Sequence, residues 1–234
     1  MLDSYSALLD QFSSDLDALT LESNIPWVYN PLDYARDPFD NYLEKYLLPL
    51  PKQTVLLGMN PGPWGMAQTG IPFGEIGFVK DWLKVKGVVS TPGKMHPKRP
   101  VYGFSSTRSE VSGRRVWTWA KERYGTPEAF FKDHFVLNYC PLLFFDPEGK
   151  NITPDKLLKG DREQLFALCD KALADQLRLI GAKRLVALGR FAEDRALSVS
   201  ETYPLDVIRI PHPSPANPQA NKGWAEQVDK LLQL

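Results

Sequence analysis

The chain has 234 residues, is 43% apolar and 24% charged, and carries a formal net charge of zero; it holds enough apolar material for a sizeable core, which excludes a disordered chain. Its two cysteines, Cys140 and Cys169, are too few for a disulfide framework or for an iron–sulfur cluster held by four thiolates. No stretch approaches the roughly 18 apolar residues of a membrane span, and the N-terminus is acidic where a secretory leader is basic, so an intracellular protein with no membrane partner is expected.

Apolar spacing predicts a helix over 3–18 and another over 39–48, closed by a proline-rich bend at 49–51. Residues 1–50, with nine acidic side chains against two basic ones, read as a helical preface to a single domain covering 1–234. A first strand, TVLLGMN (Thr54–Asn60), empties into a loop, Gly58–Glu75, holding five glycines and three prolines. Such a loop is rigid and lets a ligand approach the backbone, although a structural turn explains the composition as well. Its spacing matches neither a P-loop nor a dinucleotide fingerprint.

Residues 80–125 carry eleven Lys and Arg against three acidic residues. Gathered on one face they would bind phosphates whatever the net charge; a solvated surface accounts for them equally well. Within this segment 87–113 is predicted to be a long loop, and Arg114 and Arg115 open a helical stretch with Trp117, serving either phosphates or an ordinary surface helix. Strands are predicted at HFVLNYC (134–140), KRLVALG (183–189) and LDVIRI (205–210), with a helix over 161–180 whose one polar inward member is Gln176, and a last helix beginning near Asn221.

Short apolar strands alternating with helices imply an α/β fold, a three-layer α/β/α arrangement around a central four-stranded parallel sheet. Sheets of that kind place their sites where loops leave the carboxyl ends of the strands. Three exits stand out. Asn60 follows the first strand. Asn138 precedes Pro141; it can cap a turn, or its amide can match a base edge that offers a carbonyl beside an N–H. His212, one of three histidines, opens a loop of alternating prolines; a lone histidine is more often structural than catalytic.

The motifs GMNPGPWGMAQTGIPFGE, VSGRRVW, NYCPL and HPSPANPQANKGW, in that order, resemble the single-strand-selective monofunctional uracil-DNA glycosylases of the uracil-DNA glycosylase superfamily. The resemblance covers most of the chain after residue 50 and implies a four-stranded parallel sheet between helices. It makes Asn60 the group that positions the attacking water and His212 the donor to the base O2. Asn138 becomes the reader of uracil N3–H and O4, and Phe73 the ring on which the flipped base stacks. Gly58 and Met59 join the substrate pocket, with Gly62 and Met66 near the base C5. The stretch Ser214, Pro215, Ala216, Asn217, Pro218, Gln219, Asn221 and Lys222 becomes the wedge that enters DNA, assisted by Arg114 and Arg115.

The resemblance implies simple hydrolysis with no cofactor and no metal, acting as a monomer on single- and double-stranded DNA containing uracil or a related damaged base, in the bacterial cytoplasm or nucleoid or the eukaryotic nucleus. Trp64 departs conservatively from the usual phenylalanine; Ala216 departs from the arginine of vertebrate relatives, and the loss of that cation predicts weaker action on paired than on single-stranded DNA. Two other readings stay open: a glycosylase of the same fold preferring another base, such as a deaminated purine, and a non-catalytic binder of damaged or single-stranded DNA.

Overall fold

A computed structural model describes residues 2–234. Helix α1 (Leu2–Asp17) buries Tyr5, Leu9, Phe12 and Leu16, one stripe at helical spacing. Strand β1 (Trp27–Tyr29), a single turn α2 (Pro31–Tyr34) and helix α3 (Arg36–Tyr46) follow. Asn30 starts α2 by accepting the Leu32 N–H at 3.2 Å, with Pro31 supplying the preset first helical residue. The chain continues through β2 (Thr54–Gly58), α4 (Met66–Thr69), α5 (Val111–Tyr124), α6 (Pro127–Phe131) and β3 (His134–Asn138). A hairpin of β4 (Leu143–Phe145) and β5 (Asn151–Ile152) leads to α7 (Lys159–Ile180), β6 (Arg184–Leu188), α8 (Arg190–Ser200), β7 (Asp206–Ile210) and α9 (Trp224–Leu232).

Four strands form a parallel sheet in the order β3-β2-β6-β7, with Leu56 level with Val136 on one side and Val186 on the other. The interiors of β2, β3 and β6 are buried apolar runs, covered on both faces, whereas β7 at the edge exposes Arg209. Helix α1 packs on α7, and α7 on α8, which covers β6 and β7; α5 packs on α6 and α9, which reach β3 and β7. The expected three-layer α/β/α fold is present.

The strands stop slightly short of their predicted ends. β2 closes at Gly58 and β3 at Asn138; Tyr139 and Cys140 still donate to Gly58 O and Met59 O at 2.9 Å each, and then Pro61 and Pro141, which lack an N–H, end the pairing. The C-terminal helix begins at Trp224 rather than near Asn221, because 219–221 form a tight 3₁₀ turn and Gly223 sits at φ 72°. Helix α5 starts at Val111 and takes up the last residues of the predicted loop.

A second sheet, antiparallel in the order β1-β4-β5, went unpredicted because strands of two or three residues show no period. Two buried polar side chains of α7 help to tie the N-terminal segment to the rest. The buried Asp161 carboxylate accepts the Glu22 and Ser23 N–H groups at 2.8 and 2.6 Å. Tyr5 donates to Gln176 Oε1 at 2.7 Å, which accounts for the one polar side chain on the inner face of α7.

Candidate active site

The carboxyl ends of β2, β3 and β7 open onto one cleft of about 330 Å³ whose walls include Asn60, Phe73, Asn138 and His212, within the size range of small-molecule sites. The three loops, far apart in sequence, thus meet around a single cavity. Met59 and Gly62 line it too, as does Ser214 at the head of the last loop.

Gly58 ends β2 directly opposite Asn138. A Cβ at 58 would overlap Asn138 Oδ1 and stand 2.6 Å from Phe73 Cζ. Only glycine lets the amide and the ring close over the strand end together. Phe73 holds a left-handed backbone at φ 55°, and its carbonyl accepts the Trp117 indole N–H at 2.9 Å. Gly113 in the VSG motif lies so close to that carbonyl that a side chain there would collide with it. Helix α5 therefore clamps the residue that presents the ring.

Hydrogen bonds assign the polar groups. Asn60 donates its Nδ2 to Leu142 O at 3.2 Å, which leaves Oδ1 as a free acceptor on the cavity wall. Asn138 Nδ2 rests on Met66 Sδ at 3.2 Å, a weak acceptor that a base carbonyl readily displaces. His212 Nδ1 accepts the Ser214 N–H at 3.1 Å, so the single proton of the neutral ring sits on Nε2. Burial pulls the His212 pKa down to about 4, which keeps the imidazole neutral and Nε2 a donor at physiological pH.

The loop after His212 is exposed at Pro215, Ala216, Pro218, Gln219, Asn221 and Lys222, yet internally braced. Asn217 Nδ2 donates to His212 O at 2.9 Å, and Asn221 Nδ2 to Pro215 O at 3.0 Å. Arg115, predicted for DNA, spends its guanidinium on Pro213 O and Asn221 Oδ1 at 2.9 and 2.7 Å, while Arg114 is solvent-exposed. Trp64, on the rim beside Pro63, lies 4.7 Å from the Arg108 guanidinium and 5.7 Å from that of Arg99, close enough for cation–π attraction. The larger indole thus serves as a surface for two cations.

The cavity also contains groups that sequence reasoning passed over. Glu110 and Asn151 both line it, and each buries a side-chain oxygen without a protein partner. The signal for Glu110 was its isolation as an acid amid a basic run; Asn151 arrives on the small sheet that periodicity could not reveal. Among the described residues no group of three or more His, Cys, Asp or Glu is placed to hold a metal ion, and no helix is long and apolar enough to cross a membrane.

A cleft that sets an aromatic ring beside two amides and a neutral imidazole, at the carboxyl edge of a parallel sheet, has the groups that a nucleobase pocket needs. The family model of the uracil DNA glycosylase superfamily matches residues 46–233, and the chain belongs to that superfamily. Within it, the chain is 46% identical over 225 residues to the single-strand selective monofunctional uracil-DNA glycosylase of Rattus norvegicus, covering 95% of this chain and 81% of the relative. The Bos taurus protein of the same description is 48% identical over 224 residues, covering 95% and 82%. The crystal structure of wild-type Pedobacter heparinus SMUG2 superposes with a TM-score of 0.67 at 19% identity, covering 97% of both chains; at that identity it speaks for the fold.

Proposed function

We propose that the protein is a monofunctional DNA glycosylase that flips uracil, or a related damaged pyrimidine, out of DNA and hydrolyses its bond to the sugar. The observation that carries this reading is the convergence of Asn60, Asn138 and His212 on one cavity beside the Phe73 ring. The base stacks on Phe73; Asn138 Oδ1 accepts N3–H and its Nδ2 donates to O4. Cytosine presents the opposite pair there, and each mismatched buried polar group costs about 1–3 kcal/mol.

Breaking the N-glycosidic bond leaves positive charge on the sugar and an anion on the base. His212 Nε2–H donates to O2, where that anion's charge gathers; a neutral, preorganised donor is suited to the task. Asn60 Oδ1 holds a water by accepting one of its hydrogens. An amide is a poor base, so its contribution is orientation. The water oxygen bonds to C1′ and releases a proton, the base leaves with the bonding electrons and takes up a proton, and an abasic site remains. No lysine stands on the cavity wall, so the reaction ends without a covalent intermediate to an amine.

The exposed loop from Ser214 to Lys222 enters the base stack, and Arg114 meets the phosphates. Flipping costs least from single strands and mispairs, and the protein acts, as a monomer, on both single- and double-stranded DNA. The test is incubation of the pure protein with single-stranded oligonucleotides carrying uracil, hypoxanthine or no lesion, followed by alkaline cleavage at abasic sites. Cleavage at uracil, lost in Asn60→Ala and His212→Ala while DNA binding persists, is the expected result; full turnover by either variant, or preference for hypoxanthine, overturns the reading.

A further inference from the structure

Of the eleven cations between 80 and 125, the fold gathers one group beside the cavity. Pro63 stands on the cavity wall, and the next residue, Trp64, is half-buried on the rim. The buried side chain of Gln68 staples the basic loop against this point. Its Nε2 donates to Pro63 O at 2.9 Å and to Pro100 O at 3.0 Å, while its Oε1 accepts the Tyr102 N–H at 2.8 Å. The amide thus spends both of its N–H groups and its oxygen on holding two loops together.

That staple brings cations and aromatic rings into alternation. The Arg108 and Arg99 guanidiniums both approach the Trp64 ring, as described above. Arg99 is fixed there by its Nε, which donates to Gly149 O at 2.6 Å; Arg108 is exposed. Tyr102, between them in sequence, leaves 62% of its surface open. On the same loop Lys94 repeats the pairing, 5.0 Å from the centre of the Trp27 ring. Among the described residues none of Lys94, Lys98, Arg99 and Arg108 meets a carboxylate, whereas Arg123 and Arg195 are bound to Asp229 and Asp170.

Two guanidiniums crowded on one ring without a counter-charge repel each other, and an anion held between them relieves the repulsion. Rings interleaved with cations are the means by which proteins hold an unpaired nucleic-acid strand: bases stack on the rings and phosphates meet the cations. The exposed Arg108 side chain is free to swing from the indole to a phosphate, which opens the ring to a base. Paired bases are already stacked on both faces, so the arrangement fits a single strand and not a duplex.

We propose that Trp64, Arg99, Tyr102 and Arg108 form a stacking platform for unpaired nucleotides flanking the flipped base, with Lys94 and Lys98 extending the track along the phosphates. The proposal rests on the glycosylase reading of the neighbouring cavity and adds to it a strand-binding surface outside the base slot.

The test measures binding to a short uracil-free single strand, and to the same sequence annealed to its complement, by fluorescence anisotropy. Trp64→Ala is expected to weaken single-strand binding about fivefold to a hundredfold and to leave duplex binding unchanged. Trp64→Phe, which keeps a smaller ring, should lose less affinity but show less quenching of the indole emission on binding. Arg108→Ala should lower the slope of log affinity against log salt by about 0.7 for the single strand. Single-strand affinity unchanged in Trp64→Ala, or an equal loss on duplex, overturns the proposal. Excision of uracil from single strands by a protein whose binding ignores Trp64 refutes the platform and leaves the glycosylase reading standing. Binding that depends on Trp64, in a protein that releases no uracil, does the reverse.

Discussion

Replacing Gly58 with alanine probes the geometry of the base slot from beneath, without removing any polar group from it. The added methyl would stand 2.6 Å from Phe73 Cζ, so the ring must retreat by about 0.8 Å to reach ordinary van der Waals contact, and the Asn138 amide must swing aside with it. Misplacement on that scale costs about a hundredfold in rate, or roughly 2.7 kcal/mol of transition-state stabilisation. The overpacking itself costs about 1–3 kcal/mol of stability, which in a chain of this size lowers Tm by roughly 2–12 °C and leaves the protein folded at room temperature. Single-turnover excision from a uracil-containing single strand measures the first quantity and a thermal melt the second. A Gly58→Ala enzyme that melts lower yet excises uracil within about threefold of wild type would show that Phe73 and Asn138 do not grip the base.

Acid sensitivity tests His212. With its pKa drawn from the ordinary 6.5 to about 4, the folded protein refuses a proton that the unfolded chain accepts, so stability is lost as pH falls from 6.5 to about 4, by about 3 kcal/mol for a shift of this size. His212→Asn should remove that part of the acid destabilisation, and an identical acid limb in urea melts of the two proteins would refute it. Ala216→Arg should raise excision from duplex relative to single-stranded DNA by filling the gap left by a flipped base; an unchanged ratio disposes of the idea. Arg114→Ala should lower the slope of log affinity against log salt by roughly one. Arg115→Ala should leave that slope alone and speed proteolysis of the 211–223 loop, because its guanidinium holds Pro213 and Asn221.

What could be read in advance follows from which forces act locally. β2, β3 and β6 announce themselves because burial on both faces demands continuous apolar runs, the edge strand β7 by its Val207, Ile208 and Ile210 despite the exposed Arg209, and Asn60, Asn138 and His212 stand out because they follow or end those strands. β1 and β5 are held by pairing with β4 alone, a tertiary fact with no local signature, and with them Asn151 stayed out of sight. Glu110 sits where a helix cap is expected, and only the closeness of Gly62 and Gly65 redirects it. Arg115 was marked by its charge, but its partners lie about a hundred residues away in sequence, beyond the reach of any spacing rule. The tautomer of His212 depends on one backbone N–H, that of Ser214, and is settled only by the fold of the turn.

That turn joins two tasks in one rigid piece. His212 accepts the Ser214 N–H at its ring Nδ1 and the Asn217 side-chain amide at its backbone carbonyl, both from the segment proposed to press into the nucleic acid. Displacement of the segment would therefore pull on the residue that carries the ring. The same bonds that brace the exposed tip thus hold the histidine in line with the cavity, and a substitution that loosens the tip is expected to loosen the ring as well.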